Sequence, residues 1–186
     1  CSSDLKSADI EIRFRHPRSN ARCRLDWAVP NDKMPDAQRL MERAVNDGTK
    51  IFIIQSADEW SEFIAVNSKA VFKDKFFVGT NWLGGVMFNK PHDIFKELPV
   101  GNALNWPYQA LIHTGVERIG LVMEGEELLL GAYHTYPMAI GTAMGIVPMG
   151  KGSVLFSTLD IYGNIINDSA AGLVAKKLIF NMIDFK

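Results

Sequence analysis

The sequence predicts a three-layer α/β domain with an antiparallel β extension, and three stretches carry that prediction. The first is a helix, glycine, buried-strand order: Ala37, Leu40, Met41, Ala44 and Val45 recur at helical spacing, Gly48 follows as a stop, and KIFII (Lys50–Ile54) is a continuous apolar run. The second is GTAMGIVPMGKGSVLFSTLD (Gly141–Asp160), where the apolar runs Ala143–Val147 and Ser153–Thr158 flank Met149-Gly150-Lys151-Gly152. Neither run alternates, so both strands are expected inside a sheet with both faces covered, joined by a glycine turn. The third is Ser169–Asp184, patterned as a helix that packs back on that sheet through Ala171, Val174, Leu178, Ile179, Met182 and Ile183.

In chain order, Ala8–Phe14 alternates, with Ile10, Ile12 and Phe14 on one face, as in a half-buried strand. Arg13, Arg15, His16, Arg18, Arg22 and Arg24 then form a basic stretch. With no interleaved aromatics or glycine cradle, it reads as a solvated loop rather than a phosphate or polysaccharide groove. Asn31 or Asp32 is placed to cap the helix that runs to about Asp47. After KIFII, Ser56 or Asp58 is placed to cap a short helix with Trp60, Phe63 and Ile64 inward, and Phe76–Val78 reads as a strand.

From Gly79 to Trp106 the texture turns to Gly, Asn, Trp and Pro, the longest irregular region of the sequence. Trp82 and Trp106 read as plugs at the edge of the core, with stacking on a sugar ring as the functional alternative. Pro91-His92-Asp93 opens a short helix through Lys96. Gly120–Met123 and Leu128–Ala132 bracket Glu124-Gly125-Glu126-Glu127 as strand, turn, strand, with the glutamates read as solvated turn residues.

At 186 residues, 20.8 kDa, the chain reads as one domain with room for a substantial core. A formal net charge of −1 with 22% charged residues gives no footprint for nucleic acid or an anionic membrane. No apolar run approaches the roughly 20 residues of a membrane span. Cys1 and Cys23 make neither a disulfide framework nor a metal site by spacing, which leaves a single Cys1–Cys23 pair open. Cys1-Ser2-Ser3-Asp4 also fits a lipid-modified mature terminus, which carries the reading of a small-ligand-binding lipoprotein.

Candidate chemistry is sparse. No G-x-S-x-G or G-x-C-x-G elbow places a nucleophile, and Cys23 reads as a small buried hydrophobe. His16, His92, His113 and His134 lack metal-ligand spacing, no C-x-x-C accompanies them, and neither a G-x-G-x-x-G nor a P-loop is present, so no metal and no cofactor is expected. His134 stands among aromatics in Ala132-Tyr133-His134-Thr135-Tyr136 and is a candidate to face a ligand. Asp160 follows a buried strand, where ligands gather in open α/β sheets, but reads first as a turn-forming Asp that bonds neighbouring amides.

The order F-V-G-x-N-W (Phe77–Trp82), K-P-H-D-I-F-K-E-L-P-V-G (Lys90–Gly101), Gly141–Asp160 and the closing Leu178-Ile179-Phe180-Asn181-Met182-Ile183 resembles the glutamine-amidotransferase-like C-terminal domain of bacterial family 2 glycoside hydrolases, the β-galactosidase relatives. The resemblance covers roughly residues 35–185 and implies a flavodoxin-like sheet. It also implies a module that travels with the catalytic part of a sugar-cleaving enzyme, in the periplasm or outside the cell, and has no chemistry of its own. True class I amidotransferases carry a nucleophile-elbow Cys and a His-x-Glu; this chain carries neither, and Asp160-Ile161-Tyr162 stands after the last strand.

The leading expectation is therefore a non-catalytic accessory domain, part of a larger multidomain polypeptide. Its partners are the other domains of the parent, carbohydrate and further copies of itself. For sugar contact, Trp82, Trp106 and Tyr133 are the stacking candidates and Asn81, His134 and Asp160 their polar partners. The competing expectation is a stand-alone hydrolase with a site near His134 and Asp160.

Overall fold

The computed structural model describes residues 10–13, 34–54, 57–78, 85–101, 106–109, 111, 118–135 and 138–185. Expectations that fall on Cys1, Phe14, Arg15–Arg24, Asn31, Asp32, Ser56, Asn81, Trp82 and His113 lie outside them. The described elements are β1 (Ile10–Arg13), α1 (Met34–Asp47), β2 (Lys50–Ile53), α2 (Ala57–Val66), β3 (Val71–Val78), β4 (Gly85–Asn89), a 3₁₀ turn (Asp93–Phe95), α3 (Trp106–Gln109), β5 (Arg118–Glu124), β6 (Glu127–Thr135), β7 (Met138–Met149), β8 (Gly152–Ser157), α4 (Ile161–Ile165) and α5 (Ala170–Asp184).

The eight described strands form one mixed sheet. β1, β2 and β8 run parallel, in register from Ile10↔Lys50 and from Lys50↔Ser153. Successive residues of β2 and β8 alternate between two apolar layers, as strand geometry requires. Ile51, Ile53, Val154 and Phe156 join Leu40, Met41 and Ala44 of α1 and Ala57 and Ile64 of α2. Phe52, Ile54 and Leu155 join Ala175, Leu178 and Met182 of α5. This is the three-layer arrangement expected for aliphatic runs buried on both faces.

β7 ties this parallel part to the antiparallel extension. One of its edges carries β6, from Glu127↔Ile146 to Thr135↔Met138. The other carries β8 from Met144 to Met149 and then meets β5 at Leu121↔Thr142. Thr158 sits at that handover: its amide donates to Ala143 O at 2.9 Å and its hydroxyl to Ile119 O at 2.8 Å. The β7–β8 loop is the two residues Gly150-Lys151, with Gly150 at φ +58°. It lies against the end of α1, where the Lys151 amide donates to Val45 O at 3.0 Å. A Cβ on Gly152 would fall 2.2 Å from Thr49 O, so both glycines are set by this close approach.

Four expectations are corrected. The region from Gly79 to Trp106 is not wholly irregular, because GVMFN forms β4 on β6. β5 and β6 fall where predicted, on either side of Gly125 at φ +88°, but β5 pairs with β3 and β7 while β6 pairs with β4 and β7. Asp58 is inside the first turn of α2, where it pairs with Lys75 at 2.9 Å rather than capping the helix. In α5, Leu178 and Met182 are buried and Ala171, Val174 and Ile179 pack against the core as expected, but Ile183 is 43% exposed and Gly172, Ala175 and Asn181 also turn inward. Asn181 takes an inward position because its amide donates to Ile94 O at 2.8 Å and Lys96 O at 2.9 Å, which satisfies two carbonyls of the 3₁₀ segment.

Candidate functional site

In parallel α/β sheets the ends of the strands gather ligands, so the residues after β8 come first. Ser157 is fully buried, and its Oγ accepts from the Leu159 amide at 3.1 Å. The Thr158 hydroxyl is taken by Ile119 O. Asp160 is 7% exposed and caps α4: its Oδ1 accepts from the Gly163 amide at 2.8 Å, while its own amide donates to Leu111 O at 3.1 Å. The Asn164 side chain donates to Asp160 O at 2.7 Å. Each polar side chain of this run holds backbone, as the turn-forming reading of Asp160 expects.

Tyr133 and His134 lie on β6, opposite Ile140 and Ala139 of β7 and Val86 and Gly85 of β4. Being successive residues of a regular ladder, they point to opposite faces of the sheet. His134 shares its face with Ala132, which belongs to the layer under α5. Tyr133 shares the other face with Gly131, Ile140 and Thr142. The two side chains therefore cannot line one stacking surface. Trp106 opens α3, and Asn81 and Trp82 lie outside the described residues.

The face that carries Tyr133 holds residues the sequence did not single out. Phe88 stands directly opposite Gly131. A Cβ built on Gly131 would fall 2.1 Å from Phe88 Cζ and 2.4 and 2.6 Å from its two Cε atoms, distances that place the ring face-down over the glycine. Thr142, opposite Gly131 on the other side, donates its hydroxyl to Glu126 Oε1 at 2.7 Å. Glu126 is thus half-buried and folded back on the sheet, not the solvated turn residue expected. Its neighbours Glu124 and Glu127 pair with Lys73 and Lys90, whereas among the described residues Glu126 has no cation. Met138 and Ile140 are 78% and 60% exposed on the same face.

A second polar cluster lies beneath the loops on the α5 side. Tyr108 is fully buried, donates its hydroxyl to Pro99 O at 2.8 Å and meets Phe95 edge-on at 5.5 Å between ring centroids. The Asn89 side chain donates to the same carbonyl at 3.0 Å. Burial pushes the Tyr108 phenol well above its ordinary value, outweighing the opposing hydrogen bond with Asn89. The phenol is held neutral and serves as a donor to the loop.

Among the described residues no group of three or more His, Cys, Asp and Glu side chains is arranged to hold a metal ion, and no helix is long and apolar enough to cross a membrane. Comparison of the chain with protein-family models, curated proteins and solved structures returns no match.

Proposed function

We propose that this chain is a non-catalytic accessory domain of a family 2 glycoside hydrolase of the β-galactosidase kind, acting in the periplasm or outside the cell. Its role is to pack against the other parts of its parent and against further copies of itself, with carbohydrate contact as a subsidiary role. The observation that carries this reading is the commitment of Ser157, Thr158 and Asp160 to backbone hydrogen bonds, which leaves the end of β8 built as structure rather than as a poised acid, base or nucleophile. The sequence resemblance from Phe77 to Ile183 supplies the parent. The strands β2 and β8 between helical layers, with β1 parallel to β2, are the part on which the flavodoxin-like, amidotransferase-like assignment rests.

The test is immunoprecipitation of the native polypeptide with an antibody raised against this chain, followed by sizing and assay on chromogenic glycosides. A polypeptide several times larger than 20.8 kDa that turns over a glycoside is the expected result. A 20.8 kDa band, or a larger band without turnover, overturns the proposal.

A further inference from the structure

Among the described strands β3 ends the sheet and pairs with β5 alone. The direction of its backbone groups follows from β5. Ile119 O accepts from the Thr158 hydroxyl at 2.8 Å, and a Cβ on Gly141 of β7 would fall 2.6 Å from Leu121 O, so Ile119 and Leu121 turn their carbonyls away from β3. Peptide groups alternate between the two edges of an antiparallel strand, so Gly120 and Val122 face β3 and bond to Phe76 and Asp74. Lys75 and Phe77, opposite Leu121 and Ile119, therefore turn their N–H and C=O groups to the outer edge. Val71, Lys73, Asp74, Lys75 and Phe77 are all exposed on this strand of eight residues. An edge of that length and exposure is a template for a further strand.

The lysines that would guard it by charge are engaged elsewhere. Lys73, the extra residue of a bulge, pairs with Glu124 of β5, and Lys75 reaches Asp58 of α2 at 2.9 Å. Asp74 remains at the edge, a residue type poorly suited to a strand interior. Its Oδ1 accepts from the Lys75 amide at 2.8 Å. That outward amide is a donor that any incoming strand needs. We infer that Asp74 is a built-in guard: by occupying the Lys75 amide it closes the β3 edge to strand addition by a second copy of this chain. β3 is an exposed edge that every copy carries. Two copies related by a two-fold axis at Phe76 would set Lys75 opposite Phe77 of the second copy, and the reverse, so that each pair exchanges two bonds. Half of those four bonds use the Lys75 or Phe77 amide on each side, and the Asp74 carboxylate takes one donor from each pair. The inference goes beyond the accessory-domain reading and does not depend on it; it restricts the packing of further copies to surfaces other than this edge.

The experiment is sedimentation velocity of the purified chain over a concentration series, with circular dichroism and a urea midpoint to show that each variant is folded. Asp74→Ala is expected to self-associate with a dissociation constant at least tenfold below that of the wild type, and Asp74→Val, better suited to a strand, to do the same. Asp74→Asn keeps an acceptor for the amide and is expected to sediment as the wild type. Adding Lys75→Pro to Asp74→Ala removes the amide itself, at a position that makes no ladder bond, and is expected to abolish the gain. Adding Lys75→Ala instead loses the same contact with Asp58 but keeps the amide, and is expected to leave the gain in place. The guard is overturned if Asp74→Ala and Asp74→Val sediment as the wild type, if their association survives Lys75→Pro, or if Asp74→Asn associates to the same degree. None of these outcomes bears on the accessory-domain reading, which is judged on the size and glycosidase activity of the native polypeptide.

Discussion

Antiparallel strand pairs in different parts of the sheet use the same local device in different surroundings. Three phenylalanines stand directly opposite a glycine on the neighbouring strand: Phe156 over Gly145, Phe76 over Gly120 and Phe88 over Gly131. In each pair the ring fills the space left by the missing Cβ. Phe156, beneath α1 and α2, is fully buried, whereas Phe88 belongs to neither core cluster and is half-buried. A ring over a glycine is thus core in one place and outside it in another, and the packing around the strand makes the difference.

The largest test of that comparison is to truncate both rings. Phe156→Ala is expected to cost about 4 kcal/mol in urea unfolding, from lost transfer energy and a cavity that two helices cannot close. Phe88→Ala is expected to cost about 1 kcal/mol, the worth of a cross-strand pair outside the core clusters. Equal costs would break the comparison.

Next in size is Gly152→Ala, at the turn that joins the parallel part to α1. The added methyl meets backbone, Thr49 O at 2.2 Å and Ala44 O at 2.8 Å, so the hairpin has to shift as a unit. A loss of about 2–3 kcal/mol is expected, and a neutral result would mean that the hairpin is not seated on α1.

Tyr108→Phe probes the loops that cover the antiparallel part on the α5 side. Loss of the bond to Pro99 O is expected to cost about 1 kcal/mol at neutral pH. The folded-state pKa is raised above the ordinary 10.0, so the unfolded chain loses this proton first and stability falls as pH rises above about 10. The wild type should show that alkaline fall and Tyr108→Phe a shallower one; identical slopes in a pH series of melting temperatures would contradict the buried, neutral phenol.

The smallest effect is at the exposed Lys177–Glu97 contact, 2.5 Å, between α5 and the loop after the 3₁₀ turn. Its hydrogen bond with Lys177, then the charge of Lys177, hold the Glu97 carboxyl below the ordinary 4.5. The contribution is present above pH 4.5 and is lost as pH falls through the lowered value. Lys177→Met should remove that acid dependence and leave neutral stability nearly unchanged. A large neutral-pH loss would show that the lysine stem is a packing element instead.

Much of the parallel part was legible because burial on both faces forces a composition that few other contexts tolerate. KIFII and the runs around Gly150 read directly as covered strands, and Gly48 as the stop of α1. The antiparallel part was less legible. GVMFN is too short and too lightly patterned to stand out among glycines and prolines, so β4 was missed. The Glu124–Glu127 turn was visible, but not that Glu126 folds back onto Thr142. Tyr133 was selected from its aromatic neighbours, while Phe88 carried no signal at all, because its role depends on Gly131 standing opposite it on another strand.

The sequence by itself determined the elements whose cause is local or periodic: the apolar face of α1, the covered strands β2 and β8, and the two-glycine turn. Only the tertiary structure decided which edges of β7 its three neighbours occupy, that Asn181 joins the inward face of α5, and which helices cover which face of β2 and β8. Those outcomes depend on pairings between residues far apart in the chain. Helical or strand periodicity fixes that one face is buried, but not which partner buries it.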